Sequence, residues 1–419
     1  MPRPNSMLAG LAGVACAGAV WAAEAPPRFM VQTLPSSING AFIDEYDAIQ
    51  NDGTAYASGV TLSPRRAVLV RISPLGVPTI TEGLPAQVVP QHTLQIWDTN
   101  NSGRVVGQTF WSDISTGSIA EISFLYTHLF DGFGVMQDLG AMAGLTTPHV
   151  AGINEAGQVL FFNSASGPAV WSQGGGTTVL SPPPELAEPT VIVMGEDGSF
   201  GGRFRDTDGF FRGFVWDGAD GVRIITSQAT PLGLSGFASN VNDININGWA
   251  VGFTTVPWDF GLVVDRAYVE RGNGVEILPG QQFSDPAAFA TTVTDDNVIY
   301  GVRNGAGGSG LWRGENLDWW ALTELLPPDV AYASVSFRQV SRRGTALAYA
   351  TNPGWPLGDT VRLIPAEPGD YNADGVRDLG DVQLFVAEFL GGGRLADRDQ
   401  NGVHDLGDLQ SWIQEFVNP

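Results

Sequence analysis

Ile244-Asn-Ile-Asn-Gly248, with Gly252 four residues further on, is one of seven versions of a single short pattern. The others are Ile49-Gln-Asn-Asp-Gly53, Thr99-Asn-Asn-Ser-Gly103, Ile153-Asn-Glu-Ala-Gly157, Met194-Gly-Glu-Asp-Gly198, Val293-Thr-Asp-Asp-Asn297 and Val340-Ser-Arg-Arg-Gly344. Successive copies start 50, 54, 41, 50, 49 and 47 residues apart. Each copy reads as the end of a strand followed by a tight turn. The last turn residue needs positive φ, which explains Gly in six copies and Asn in the seventh.

Four residues after each turn stands Ala57, Gly107, Phe161, Gly202, Gly252, Gly301 or Ala348. Six of these seven are Gly or Ala, so something approaches the chain closely there. We expect these positions to lie on the innermost strands of a propeller. A second signature follows at a variable gap: Ala67-Val-Leu-Val, Ser123-Phe-Leu-Tyr, Ala169-Val-Trp171, Gly213-Phe-Val-Trp216, Ala267-Tyr-Val-Glu, Gly310-Leu-Trp312 and, more weakly, Thr360-Val-Arg-Leu. Gly-rich turns and further apolar runs come next, as in Gly174–Leu180, Gly218–Ile225 and Gly272–Leu278.

Three or four strands in a unit of about 48 residues is the size of a propeller blade. The predicted fold class is therefore mainly β: a seven-bladed β-propeller over residues 24–365, followed by a small α-helical domain over 366–419. Phe29-Met-Val-Gln-Thr-Leu34 is a candidate strand for the last blade, where it would pin the ring shut. The combination of N-x-x-G, small residues, A-F-x-W and a Gly hairpin is similar to extracellular HAF-type repeats and, more loosely, to kelch-type propellers.

The C-terminal stretch carries the sharpest chemistry. Asp370-Tyr-Asn-Ala-Asp-Gly-Val-Arg-Asp-Leu-Gly-Asp381 and Asp397-Arg-Asp-Gln-Asn-Gly-Val-His-Asp-Leu-Gly-Asp408 are two copies of a twelve-residue loop. Positions one, three, five, nine and twelve are Asp or Asn in both, and position six is Gly. A hard cation of calcium's size takes six to eight oxygens, which this EF-hand-like spacing can supply. The expected ligands are Asp370, Asn372, Asp374, the Val376 carbonyl, Asp378 and Asp381, then Asp397, Asp399, Asn401, the Val403 carbonyl, Asp405 and Asp408. The cofactor expected is thus two Ca2+ ions. A pair of acidic turns that merely cap helices is the metal-free alternative.

Each loop runs into an amphipathic helix. Val382, Phe385, Val386, Phe389 and Leu390 share one stripe, and Leu409, Trp412, Ile413, Phe416 and Val417 repeat it. A duplicated calcium loop, each copy followed by a helix and ending in Asp, resembles a type I dockerin over residues 368–418. That resemblance implies a cohesin-type protein partner and, often, assemblies that degrade polysaccharides. The positions that select a cohesin in many dockerins hold Leu379-Gly380 and Leu406-Gly407 here, so the resemblance names no particular cohesin. Ile364-Pro-Ala-Glu-Pro368 reads as a short stiff linker between the two domains.

Residues 1–23, with Arg3, an apolar run from Met7 to Trp21 and small residues after it, fit a secretory signal peptide cleaved near Ala22 or Ala23. The single cysteine, Cys16, lies inside it. The exported protein is expected to be secreted, free of disulfides and without membrane insertion. Forty-four acidic residues face 21 basic ones, all Arg, for a formal charge of −23. Such a surface argues against nucleic acid or anionic membrane and favours cations.

Catalytic residues are not identifiable in the sequence. It has no G-x-S-x-G elbow, no Gly-rich phosphate loop and no sialidase-type box. Carboxylate pairs could be drawn from Asp44, Glu45, Asp47, Asp98, Glu155, Glu196 or Asp295, but several of these sit beside the repeat turns, where a turn-stabilising role suffices. Trp171, Trp216 and Trp312 share a repeat position and read as blade core. Trp258, Trp319, Trp320 and Trp355 fall in connections, where core or rim packing is the favoured reading and an exposed indole that stacks on a sugar is the alternative. The reading is a secreted, non-catalytic binding or scaffold protein with a calcium-dependent docking module and an extracellular glycan as a candidate ligand. The alternative is a propeller-type glycoside hydrolase or polysaccharide lyase.

Overall fold

The computed structural model describes residues 26 and 28–417, apart from 63–64, 83–91, 114–117, 129–133, 146–148, 165–166, 187, 218–220, 226–237, 258–262, 273, 280–286, 305–307, 315 and 353–357. The proposed signal peptide, Trp258 and Trp355 lie outside the described residues. No helix among those described is long and apolar enough to cross a membrane.

The chain folds as a β-propeller of antiparallel sheets, all but the last made of strands consecutive in sequence. The sheets cover 37–82, 92–138, 149–179, 190–225, 239–277 and 288–321, and a last one joins 334–365 to the N-terminal strand Phe29–Thr33. Six sheets have the regular four-strand order, where the repeats lead one to expect seven alike. The sheet over 37–82 has five strands because Ser37–Ile38 folds back onto the strand Ala41–Ile49. Each sheet packs on the next, and the last packs on the first.

Every repeat turn joins a first long strand of its sheet, such as Ala41–Ile49 or Ser239–Ile244, to a second, such as Ala55–Leu62 or Ala250–Pro257. Gly53, Gly103, Gly157, Gly198, Gly248, Asn297 and Gly344 all have φ between 65° and 85°. The small residues that follow lie on the second strand, not on the innermost one as expected. The innermost strand is the one before the turn, and its register slips in every sheet, at two places in the first and at one in each of the others, as between Val241 and Asp243 or Ala290 and Thr292. The small residue pairs with the residue that starts this bulge: Ala57 with Tyr46, Gly107 with Ile96, Gly252 with Val241, Gly301 with Ala290. The bulge turns a carbonyl toward the second strand. A Cβ at Gly202, Gly252 or Gly301 would collide with the carbonyl oxygen of Thr190, Asn240 or Phe289. Phe161 occupies the equivalent place facing Val150 and is fully buried.

The last sheet is completed by the N-terminal strand, with Phe29 opposite Pro365 and Thr33 opposite Val361. This is the placement expected for Phe29–Leu34. Arg362 in the neighbouring strand is fully buried and donates to the carbonyls of Ser73 (3.1 Å), Pro74 (2.6 Å) and Gly53, and to Gln32. It thereby ties the closing sheet to the first.

Three short helices are described: α1 (Leu139–Ala143), α2 (Leu379–Gly391) and α3 (Leu406–Val417). The last two pack with Phe385 stacked on Trp412, centroids 4.3 Å apart and planes 6° from parallel. Their apolar side continues into the propeller. Phe385, Leu395 and Trp412 share one core with Phe29, Trp320, Leu325 and Leu363. The expected stiff linker is not seen as such: Ile364 and Pro365 end a strand, and the Ala366 N–H donates to the Arg28 carbonyl at 2.8 Å.

Candidate metal centre and axial cavity

The two terminal loops have matching backbones. Gly375 and Gly402 at position six have φ of 86° and 82°. Ala373 and Gln400 at position four are also left-handed, at 58° and 56°. A non-glycine residue rarely adopts that region without compensation. Side-chain oxygens supply it: the Gly375 N–H donates to Asp370 Oδ2 and the Gly402 N–H to Asp397 Oδ2, both at 2.9 Å.

The position-twelve carboxylates are fully buried. Asp381 accepts from the N–H groups of Asn372 (2.9 Å) and Asp378 (2.8 Å). Asp408 accepts from Arg398 (2.6 Å), Asp399 (3.3 Å) and Asp405 (2.9 Å). Asp378 caps α2, accepting from the Gly380 N–H at 2.6 Å, and Asp381 completes that capping box. Asp405 makes the same bond to the Gly407 N–H. The Val376 N–H donates to Asp374 Oδ1 (2.8 Å) and the Val403 N–H to Asn401 Oδ1 (2.7 Å), while both valine side chains are exposed.

In the second loop, one carboxylate oxygen each of Asp397, Asp399 and Asp408 lies within 4.8 Å of the other two. Asp397 Oδ1 is buried without a hydrogen-bond partner. Burial raises the Asp397 carboxyl above its ordinary pKa, and the Asp408 and Asp399 carboxylates add to the rise. Asp370 is raised in the same way, by burial and then by Asp381 and Asp374. An all-oxygen set with one orphaned buried carboxylate oxygen fits a hard divalent cation. In the first loop Asp370 Oδ1 instead accepts from the Asp374 N–H at 3.2 Å.

A second site lies on the propeller axis. A cavity of about 200 Å³ is lined by the innermost strands and their turns, including Asp98, Glu155, Glu196, Asp243 and Arg342. The sequence pointed to the first three; Asp243 and Arg342 were missed, because they read as an ordinary strand residue and an ordinary turn residue. Burial pushes the Asp98 carboxyl up to about 6 and raises Asp243, Glu155 and Glu196. Burial works against the Arg342 charge, but Asp243, Asp98, Glu196 and Asp295 outweigh it and hold its pKa above the ordinary value.

These acids tie neighbouring sheets together. Asp98 Oδ2 accepts the Ile153 N–H, and Asp243 Oδ2 accepts the Val293 N–H, both at 2.9 Å. Arg342 Nη1 donates to Asp243 Oδ2 at 3.0 Å. Glu155 accepts the Asn101 N–H (3.0 Å) and Glu196 the Glu155 N–H (2.8 Å). The Arg343 N–H donates to Asn51 and the Asn51 N–H to Asn101, at 3.0 and 2.9 Å. Of the other candidates, Glu45 pairs with Arg338, and Asp47 is pushed up to about 6 by burial and by Glu45. The Asp295 N–H donates to the Arg342 carbonyl at 3.0 Å. None of the described residues lining the cavity is aromatic.

The described tryptophans pack as the favoured reading has it. Trp171 and Trp312 are core, and Trp216 packs beside Phe200. Trp319 and Trp320 sit on the outer strand Asp318–Ala321, with Trp320 buried and Trp319 packed at a tilt of 58° on Trp312, ring centroids 4.5 Å apart. Neither is an exposed sugar platform, in keeping with the core or rim packing favoured for both.

No family model matches the chain. No curated protein matches it either. Among solved structures, it is similar to the β-propeller domain of the Trilobed protease from Pyrococcus furiosus, with 9% identity, a TM-score of 0.42, and coverage of 80% of this chain and 98% of that one. It is also similar to the polysaccharide lyase Uly1, with 13% identity, a TM-score of 0.42, and coverage of 81% and 97%. A third is dipeptidyl peptidase 4 of Porphyromonas gingivalis, with 10% identity, a TM-score of 0.40, and coverage of 75% and 51%.

Proposed function

We propose that the protein is a secreted, non-catalytic binding or scaffold protein, a propeller whose C-terminal module holds two Ca2+ ions and docks onto a protein partner. In this reading the five-stranded sheet over 37–82 counts as a seventh blade. The repeats are of the HAF or kelch-like kind and the module over 366–419 is dockerin-like. The observation that carries the proposal is the buried, unpartnered Asp397 Oδ1 within an all-oxygen loop whose backbone is duplicated 27 residues earlier. Asp370, Asn372, Asp374 and Asp381, with the Val376 carbonyl and Asp378, would hold the first ion. Asp397, Asp399, Asn401 and Asp408, with the Val403 carbonyl and Asp405, would hold the second. Bound calcium would neutralise carboxylates that otherwise repel one another.

The docking part draws support from a second duplication. Leu379, Val386 and Leu390 are exposed on α2, and Leu406, Ile413 and Val417, each 27 residues later, are exposed on α3. A duplicated apolar row on an otherwise acidic module suits a protein partner. Capture of a panel of cohesin domains by the full chain, with calcium and with EDTA, tests this. Calcium-dependent capture lost on Leu379→Asp with Leu406→Asp supports it; no capture under either condition counts against it.

A second reading, a polysaccharide-degrading enzyme, is favoured by the raised Asp98 carboxyl in the axial cavity. Against it, Asp98, Asp243, Glu155 and Glu196 are already engaged by backbone N–H groups of adjacent sheets. A polysaccharide screen separates the two readings: turnover abolished by Asp98→Asn in a folded protein would establish the enzyme.

A further inference from the structure

We infer that the terminal module is a latch for the propeller: it holds the N-terminal strand Phe29–Thr33 on the last sheet, and cation occupancy of its loops sets how firmly the ring is closed. The latch rests on direct contacts between the module and the propeller. Its dependence on cations rests on the metal reading above.

The residue leading into the closing strand is clamped by the module. Arg28 is buried, donates through Nη1 to the Leu326 carbonyl at 2.9 Å and pairs through Nη2 with Glu388 of α2. Glu388 also accepts from the Tyr371 hydroxyl at 2.8 Å, and the Arg28 guanidinium stands 5.3 Å from the centre of the Tyr371 ring. Tyr371 follows Asp370, the first residue of the first loop. Further along the strand, a Cβ on Gly375 would lie 3.4 Å from Met30 Sδ, so the sharp turn of the same loop lies beside the closing strand. The module grips the adjoining sheet as well. Arg394 donates to the Trp319 carbonyl at 2.8 Å and lies 3.7 Å from the centre of the Trp320 ring.

The closing strand is the one part of the ring that is not continuous in sequence with its sheet, so its pairing must overcome the entropy of joining chain ends. Reordering of the first loop on loss of a cation would move Asp370, Tyr371 and Gly375 together, and with them the contacts that hold Arg28 and Met30. Closure and cation binding then share one free energy.

Hydrogen–deuterium exchange on the full chain tests both parts. In calcium, Glu388→Ala should raise exchange in 29–33 and 359–365 by roughly tenfold or more, while 211–216 on the far side of the ring is unchanged. Leu390→Ala, on the exposed face of α2, should change neither. Should Glu388→Ala fail to fold, Arg394→Ala removes the second grip from a half-exposed side chain and should act in the same direction. Wild-type protein in EDTA should reproduce the Glu388→Ala pattern. Unchanged exchange of 29–33 in the folded variants overturns the latch. Faster exchange in the variants with no effect of EDTA, when calorimetry shows that calcium binds, overturns the cation dependence and leaves the metal reading standing. Absence of calcium binding by calorimetry instead overturns the metal reading, and the cation dependence falls with it.

Discussion

Asp381 and Asp408, 27 residues apart, occupy the same position in the two terminal loops, each fully buried and each accepting backbone N–H groups from the loop that it closes. A buried carboxylate with so many neighbouring acids is stable only with compensating positive charge or donors. Asp381→Asn should leave one calcium site of two and weaken the module, through loss of its capping box, by about 1 kcal/mol. Asp408→Asn should do the same to the other loop. Stoichiometry by calorimetry on each variant checks this, and two sites in either variant would contradict it.

Gly252 illustrates why the repeats carry small residues. Gly252→Ala should cost about 3 kcal/mol or more, because its Cβ meets the Asn240 carbonyl in a bulged strand that cannot retreat. Gly248→Ala, at φ 72° with open space around it, should cost only about 1 kcal/mol. Urea midpoints separate the two; equal losses would mean that the close approach is absent.

Arg362→Ala should open the ring. The buried guanidinium satisfies three carbonyls of the first sheet and Gln32 of the closing strand, so its loss should destabilise the protein by about 3 kcal/mol. Arg362→Lys should not restore this, since one ammonium cannot span the same acceptors. Thermal unfolding of the three proteins is the measurement, and full rescue by Lys would sink the idea.

The axial acids predict a pH dependence with a definite sign. Asp98 is pushed up to about 6, mainly by burial, above its unfolded value near 4. The folded state therefore binds the proton more tightly, and this group's contribution to stability is present below pH 4 and lost as pH rises toward 6. The whole effect is at most about 3 kcal/mol, and less to the extent that Asp98 is exposed to the cavity. Asp98→Asn should flatten the fall in stability between pH 4.5 and 6.5, within about that limit. Denaturation midpoints at both values decide it, and an unchanged slope would show that Asp98 does not titrate there.

Most of the propeller was legible because its constraint is local: Gly53, Asn297 and their counterparts must adopt positive φ whatever surrounds them. The bulge opposite Gly252 was not, since a register slip leaves no mark in residue type. Trp319 and Trp320 looked like loop residues because their partners, Trp312 and Arg394, are far away in the order of the chain or on a different element. The shared backbone of the loops 370–381 and 397–408, with Gly375 and Gly402 both at positive φ, was legible for a different reason: two copies of one residue spacing take one conformation. What no spacing could disclose was Arg28 reaching Glu388, 360 residues later, which makes the module part of the ring.

Titration of the full chain with CaCl2 after chelator treatment, followed by calorimetry, bears most directly on the central claim. Binding of two ions per chain is the predicted result. No heat above dilution, in a protein that circular dichroism shows to be folded, would contradict it.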